Sequence, residues 1–153
     1  MDKTDIVEIL RNVELFEGTS DGFINNVADI AEEKTFALGE MIFEEGEKAK
    51  WVYFLLEGKV RISIDLTSKP TYVTVAMIDE CIWPFGWSGI VSPYRYTATA
   101  TCEVETKVLA IPGIQFEEFM MQEPNCGCTV MKKLSELISS RLRNSRMTLL
   151  RTM

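Results

Sequence analysis

The chain has 153 residues, of which 46% are hydrophobic and 25% charged, and it carries a formal net charge of −7. These values are typical of one soluble globular domain with a single core. Histidine is absent, which excludes His-ligated haem, the usual zinc and iron hydrolase sites, and histidine-based acid–base catalysis.

The sequence shows neither a targeting signal nor a membrane span. No apolar run reaches 18 residues, and the segment 1–5 is not the start of a signal peptide. We therefore expect a cytoplasmic protein without a membrane partner, whose four cysteines are reduced. No carboxylates or cysteines are spaced for catalysis, so we do not expect an enzyme.

Charge is unevenly distributed along the chain. Residues 132–153 contain six basic side chains and one acidic side chain, so the first 131 residues are strongly acidic. An acidic body argues against DNA binding by its surface. We interpret the basic end as a solvated helix face, with contact to nucleic acid as the alternative.

Residues 1–33 are predicted to form two short helices. Asp5 is a plausible cap for the first helix, and Ser20 for the second. The apolar residues at helical spacing are Ile6, Ile9, Leu10 and Val13 in the first helix and Phe23, Val27, Ile30 and Ala31 in the second.

Residues 34–112 are predicted to form a β-barrel of short strands. Apolar and polar residues alternate over 60–65 and 73–77, and Ser68-Lys69-Pro70 is typical of a hairpin loop. Glycines are predicted between strands, where the backbone needs positive φ, at Gly39, Gly46 and Gly58. Several short strands at this spacing indicate a closed or nearly closed antiparallel barrel.

Residues 113–153 are predicted to be helical. A short helix from Gln115 to Met121 ends before Pro124, and a long amphipathic helix follows over 126–151. Its stripe consists of Gly127, Met131, Leu134, Ile138, Leu142, Ser145 and Leu149. The stripe is longer than a small barrel can cover, so we expect a homodimer through this helix. The alternative is a helix folded wholly back on its own barrel.

Two cysteines stand near the start of that long helix, Cys126 and Cys128. They could form half of a metal site. No further ligands follow at a recognisable spacing, so we interpret them as spare thiols and expect neither a metal nor a cofactor.

Six segments share a pattern of spaced glycines and apolar residues with a known family. They are Gly39 to Ala49, Tyr53-Phe54-Leu55, Gly58-Lys59-Val60, Phe85-Gly86, Pro93 to Ala100 and Val108 to Pro112. Together they resemble the cyclic nucleotide-binding domain of the Crp/Fnr superfamily. The resemblance extends from about Leu15 to Leu150. It implies a mainly β fold, a jelly-roll (double-stranded β-helix) barrel with short N-terminal helices and a long C-terminal dimerisation helix, as a single domain over 1–153.

The resemblance also implies a function. The chain is expected to be a regulatory module that senses a small anionic ligand, such as the cyclic nucleotides cAMP or cGMP, and signals through its dimer helix. Transcription factors of this superfamily continue into a helix-turn-helix domain, whereas this sequence stops at Met153. We therefore expect output to a partner protein and no direct DNA binding by this chain alone.

In that family, the stretch Pro84 to Ala100 is the phosphate-binding cassette. A short helix begins after the Phe-Gly pair, and its backbone amides face the cyclic phosphate. An acid after the glycine accepts the ribose hydroxyl, and an arginine pairs with the phosphate. The implied ligand-binding residues here are Phe85, Gly86, Trp87, Ser88, Gly89, Arg95, Tyr96 and Thr97.

Two positions depart from the family pattern. Trp87 replaces the acid, and we expect this loss to weaken the binding of an ordinary cyclic nucleotide by about ten- to a hundredfold or more. The Trp87 indole either stacks on a flat ligand or plugs the pocket. Tyr96 occupies the arginine's place, with Arg95 one residue earlier, and one step reverses the face of a strand. We expect a bulge to bring Arg95 into the pocket. Otherwise Tyr96 enters and the site has lost its cation, which favours the rival function, a ligand-free dimerisation scaffold.

Overall fold

The structure is a computed structural model that describes residues 1–66 and 71–152. Helices precede and follow a block of eight strands. The helices are α1 (Lys3–Arg11), α2 (Asp21–Ile30), α3 (Gly113–Gln122) and α4 (Pro124–Thr152), with 3₁₀ turns at Glu14–Phe16 and Trp87–Ile90. The strands are β1 (Glu32–Phe36), β2 (Met41–Phe43), β3 (Trp51–Glu57), β4 (Val60–Asp65), β5 (Tyr72–Ile78), β6 (Pro84–Phe85), β7 (Thr99–Cys102) and β8 (Thr106–Pro112).

The strands form two antiparallel sheets of four, in the orders β1-β8-β3-β6 and β2-β7-β4-β5. The predicted mainly β jelly roll with flanking helices is confirmed, although it is built as two facing sheets. The three glycines predicted between strands, Gly39, Gly46 and Gly58, all have positive φ. β4 and β5 pair antiparallel from Val60↔Ile78 to Asp65↔Tyr72; the predicted loop 68–70 between them lies outside the described residues.

The two N-terminal helices differ from the prediction in their caps and faces. Ser20 caps α2 as predicted, because its hydroxyl accepts a hydrogen bond from the Phe23 amide (3.1 Å). The cap of α1 is Asp2 and not Asp5, since the Asp2 carboxylate accepts from the Asp5 amide (2.9 Å). The buried residues of α2 are Phe23, Ile24, Val27 and Ala28, whereas the predicted Ile30 and Ala31 are only partly buried.

Strand β3 is buried on both faces, which explains its unbroken apolar sequence. Side chains alternate across a strand. Val52 and Phe54 therefore pack into the core beneath the helices, which includes Phe116. Tyr53 and Leu55 pack into the core between the two sheets. A strand buried on both sides needs apolar residues at every position.

In the described part of the chain, the first half of α4 is covered more completely than the second half. Val130 and Leu134 are buried against the helical core, whereas Leu142 is 50% exposed and Leu150 is 69% exposed. The buried Cys126 faces the core and the exposed Cys128 faces away. Across the described ranges, no helix has the length and apolarity needed to cross a membrane.

Candidate functional site

The cassette turn, residues 85–91, needs its glycines for reasons of folding. Gly86 adopts a left-handed conformation (φ 72°) at the start of the 3₁₀ turn, a region that glycine enters without a steric penalty. A Cβ on Gly89 would lie 2.8 Å from the Trp51 carbonyl oxygen, so this glycine allows the turn to pack against β3. Neither position requires a ligand to explain it.

A cavity of about 150 Å³ lies between this turn, the second sheet and α4. We call it the cassette cavity. The side of the cavity formed by the second sheet is apolar and includes the Ile62 and Val75 side chains. Polar groups come from Ser88, Tyr96, Thr97, Arg141 and Ser145. None of the described lining residues is acidic, so the ribose partner of the family pattern is missing.

The structure brings six of the eight sequence-predicted residues to this cavity. They are Phe85, Gly86, Trp87, Ser88, Tyr96 and Thr97. Gly89 and Arg95 do not line it. Gly89 is buried against β3, and its amide donates to the Gly86 carbonyl (3.2 Å).

The expectation that Arg95 enters the pocket is corrected by the structure. Arg95 is exposed, and its Nη1 donates to the Gly46 carbonyl (2.9 Å). The backbone at Tyr96 is held by two hydrogen bonds: its amide donates to the Glu47 carbonyl (2.9 Å), and its carbonyl accepts from the Gly46 amide (2.8 Å). In this extended segment Tyr96 points inward, so its neighbour points to solvent.

Tyr96 belongs to a group of stacked rings inside the barrel. Its ring lies 3.8 Å from that of Phe43 at 12°, and the Tyr53 ring stacks on that of Phe85 at 5.3 Å. The Tyr96 hydroxyl donates to the Trp51 carbonyl (2.7 Å). Burial raises the pKa of Tyr96 to about 12 and also raises the pKa of Tyr53. Both phenols are therefore neutral donors near neutral pH.

The cavity receives its cation from α4. Arg141 is half-buried, lines the cavity and places its guanidinium carbon 5.0 Å from the centre of the Trp87 ring. Burial lowers the pKa of Arg141, but a guanidinium stays charged near neutral pH. Among the lining residues that the structure describes, Arg141 is the single charged side chain.

Sequence reasoning missed Arg141 because the basic end of the chain was interpreted as a solvated helix face. A signal was present in the spacing. Arg141 continues the inward positions Val130, Leu134 and Leu137 at steps of three and four, and Ser145 follows one turn later. A charged residue on the buried side of an amphipathic helix is a candidate for a site.

Trp87 forms the contact between the cassette turn and α4. Its indole is half-buried, packs against the helical core and lies under the Arg141 guanidinium. A guanidinium over an indole face is a favourable cation–π arrangement. The indole lines the cavity without filling it, so space for a small ligand remains beside it.

Comparison with known proteins gives the family. Residues 33–123 match the family model described as the cyclic nucleotide-binding domain. An uncharacterised protein of Haemophilus influenzae is 31% identical over 111 residues, which cover 72% of this chain and 84% of that protein. A crystal structure from Geobacter metallireducens GS-15, of a protein assigned to cyclic nucleotide binding, is 30% identical. It has a TM-score of 0.77 and covers 88% of this chain and 96% of its own.

The same fold is found in a more distant protein whose structure contains a bound nucleoside. The regulatory subunit of a cAMP-independent protein kinase A from Trypanosoma cruzi, bound to guanosine, has a TM-score of 0.78 at 18% identity. The match covers 98% of this chain and 50% of that subunit. The family match spans more than half of the chain. The chain therefore belongs to the family of cyclic nucleotide-binding domains.

Proposed function

We propose that the cassette cavity binds a small anionic ligand of the cyclic nucleotide class, such as cAMP or cGMP, and that this chain signals the binding through α4. The observation that carries the proposal is Arg141. Its guanidinium is half-buried at the cavity and forms no ion pair with a described residue. A partly desolvated cation without a counter-ion favours an anion.

The ligand's phosphate has a defined set of partners in this proposal. The Arg141 guanidinium would pair with the phosphate, and the Ser88 and Ser145 hydroxyls lie at the same cavity as donors. The neighbouring Trp87 indole and the stacked rings offer flat apolar surfaces for a base. The ligand would thus be held between the cassette turn and the helix.

The size of the cavity implies a movement. A volume of about 150 Å³ is below the 300–1,000 Å³ of typical ligand pockets. A cyclic nucleotide therefore enters only if α4 or the cassette turn moves outward. Because Arg141 and Ser145 both lie on α4, ligand contacts act directly on that helix. Coupling of this kind typically amounts to about 1–3 kcal/mol.

The signal would leave through the exposed half of α4. Leu142 and Leu150 are apolar and exposed, and an uncovered apolar stripe on a helix is suited to a twofold mate. We therefore include a homodimer through residues 126–151 in the proposal. A partner protein would read the change in this helix.

One alternative function is favoured by specific observations. Tyr96 fills the place of the family arginine, Arg95 faces solvent, and four stacked rings lie in the core between the sheets. A barrel in this state is also compatible with a ligand-free dimerisation or interaction scaffold.

Calorimetric titration of the chain separates the two functions. The sensor is expected to bind cAMP or cGMP with a dissociation constant below millimolar. It should bind the uncharged nucleoside guanosine about tenfold more weakly or worse, since the charged hydrogen bond is then absent. If neither cyclic nucleotide binds below millimolar, the sensor proposal is wrong and the scaffold remains.

A further inference from the structure

A second cavity, of about 460 Å³, shares Phe43 and Tyr96 with the cassette cavity and is otherwise lined by different residues. It lies among β1, β2, the start of β3 and the loop between β2 and β3. We call it the lysine-rimmed cavity, after Lys34, Lys48 and Lys50 in its lining. Its volume falls within the usual range of ligand pockets, whereas the cassette cavity is smaller than that range.

The rim of this cavity is positively charged. Lys34, Lys48 and Lys50 contribute three ammonium groups, and Glu47 is the single carboxylate among the described lining residues. None of the three lysines forms an ion pair with a residue in the described ranges. The chain as a whole carries −7, so three lysines in the lining of one cavity are opposite in sign to the net charge of the protein.

The exposed Arg95 adds to the charge near this rim. The backbones of Lys48 and Arg95 pair in an antiparallel bridge. The Arg95 guanidinium binds the Gly46 carbonyl, next to Glu47. The arginine that the family resemblance placed in the cassette cavity therefore lies beside the lysine-rimmed cavity.

The wall of the cavity is aromatic and fixed. Five rings contribute to it, those of Phe36, Phe43, Trp51, Tyr53 and Tyr96. The Tyr96 ring is held in place by its hydroxyl, which donates to the Trp51 carbonyl (2.7 Å), and by stacking on Phe43. The Lys34 Nζ lies 3.6 Å from the centre of the Trp51 ring. An ammonium group is thus already held at the mouth by a cation–π contact.

We propose that the lysine-rimmed cavity is a second binding site, for an anion that carries a planar aromatic ring and has about the size of a mononucleotide. The ring would pack against the aromatic wall beside Phe36, and the anionic group would pair with Lys50 and with Lys34, which lies over the Trp51 ring. A flat surface beside clustered cations is the combination that binds single nucleotides by stacking and charge. The proposal does not rest on ligand binding in the cassette cavity, with which this cavity shares Phe43 and Tyr96.

The experiment titrates the full chain by calorimetry at low salt with three probes: 5′-AMP, adenosine and inorganic phosphate. The double variant Lys34→Gln/Lys50→Gln is expected to reduce 5′-AMP affinity about tenfold or more, because charged hydrogen bonds are lost. Lys132→Gln, at an exposed lysine of α4, is the matched control and should bind 5′-AMP within about twofold of the unchanged protein. Arg141→Gln, at the cassette cavity, tests whether 5′-AMP binds there instead.

Adenosine tests the contribution of the aromatic wall to 5′-AMP binding, and inorganic phosphate tests the contribution of the lysines. Adenosine and phosphate should each bind at least about tenfold more weakly than 5′-AMP, since each lacks one of the two interactions. Melting temperatures close to that of the unchanged protein establish that the variants fold. The proposal is overturned if 5′-AMP does not bind saturably, if the double variant binds it as the unchanged protein does, or if Arg141→Gln abolishes the binding.

Discussion

Position 96 decides the chemistry of the cassette cavity. One step of register puts a neutral phenol inside the barrel and the Arg95 guanidinium outside it. The sequence could not fix this step, because it depends on the turn before it. Tyr94 there adopts a left-handed conformation (φ 60°), which non-glycine residues rarely take. No residue pattern marks such a turn.

The buried Tyr96 phenol makes the free energy of unfolding depend on pH in the alkaline range. Burial raises the pKa of Tyr96 from 10.0 to about 12. The unfolded chain therefore loses this proton at a lower pH than the folded protein. The free energy of unfolding should be unaffected by this group below pH 10 and should fall as the pH rises from about 10 to about 12.

Urea denaturation at a series of pH values measures this effect. Tyr96→Phe removes the ionisation and is expected to flatten the alkaline decline. It also removes the hydrogen bond to the Trp51 carbonyl, at a cost of about 1 kcal/mol near neutral pH. Tyr53→Phe should flatten the decline as well, because burial raises the pKa of Tyr53 in the same direction. Equal slopes in all three proteins would show that neither phenol is shielded from water.

Helix α4 has a buried face and an exposed face along its length. The buried face runs through Val130, Leu134 and Leu137 to Arg141 at the cavity. The predicted stripe shares Leu134 with this face, but it also contains Leu142, which is 50% exposed. Sequence spacing identified the helix and its surplus apolar residues. It could not show which side would lie on the barrel, because both sides carry apolar residues.

A substitution on the exposed side tests the proposed dimer. Leu142→Asp places a charge in the proposed helix interface and is expected to shift the protein from dimer to monomer, since an unpaired buried charge strongly opposes association. Sedimentation equilibrium measures the mass. Asn144→Asp, also exposed on α4, is the matched control and should remain dimeric. A monomeric unchanged protein, or a Leu142→Asp variant that dimerises with full affinity, would contradict the proposal.

The fold as a unit was more predictable than the site that it carries. Glycines at strand ends, the apolar run of β3 and the flanking helices all depend on local patterns, and the structure contains all three. The Phe-Gly turn was found for the same reason. Arg141 lies 46 positions after Arg95 in the sequence, and only the packing of α4 over the turn brings it to the cavity. Such a contact depends on tertiary structure, which no short motif encodes.

The molecule thus places the proposed ligand-binding cation, Arg141, on the helix that is proposed to transmit the signal. In this arrangement an anion bound in the cavity would contact the barrel and α4 at once. Arg95, which the family pattern suggests, lies outside and provides a matched control of the same charge. The two arginines can be compared directly.

The calorimetric affinity for cAMP of the unchanged chain, Arg141→Gln and Arg95→Gln tests the central claim most directly. The account predicts that Arg141→Gln weakens cAMP binding about tenfold or more, because a charged hydrogen bond to the ligand is lost. Arg95→Gln should leave the affinity within about twofold. Loss of affinity in Arg95→Gln with none in Arg141→Gln, or no binding of cAMP by the unchanged chain, would contradict it.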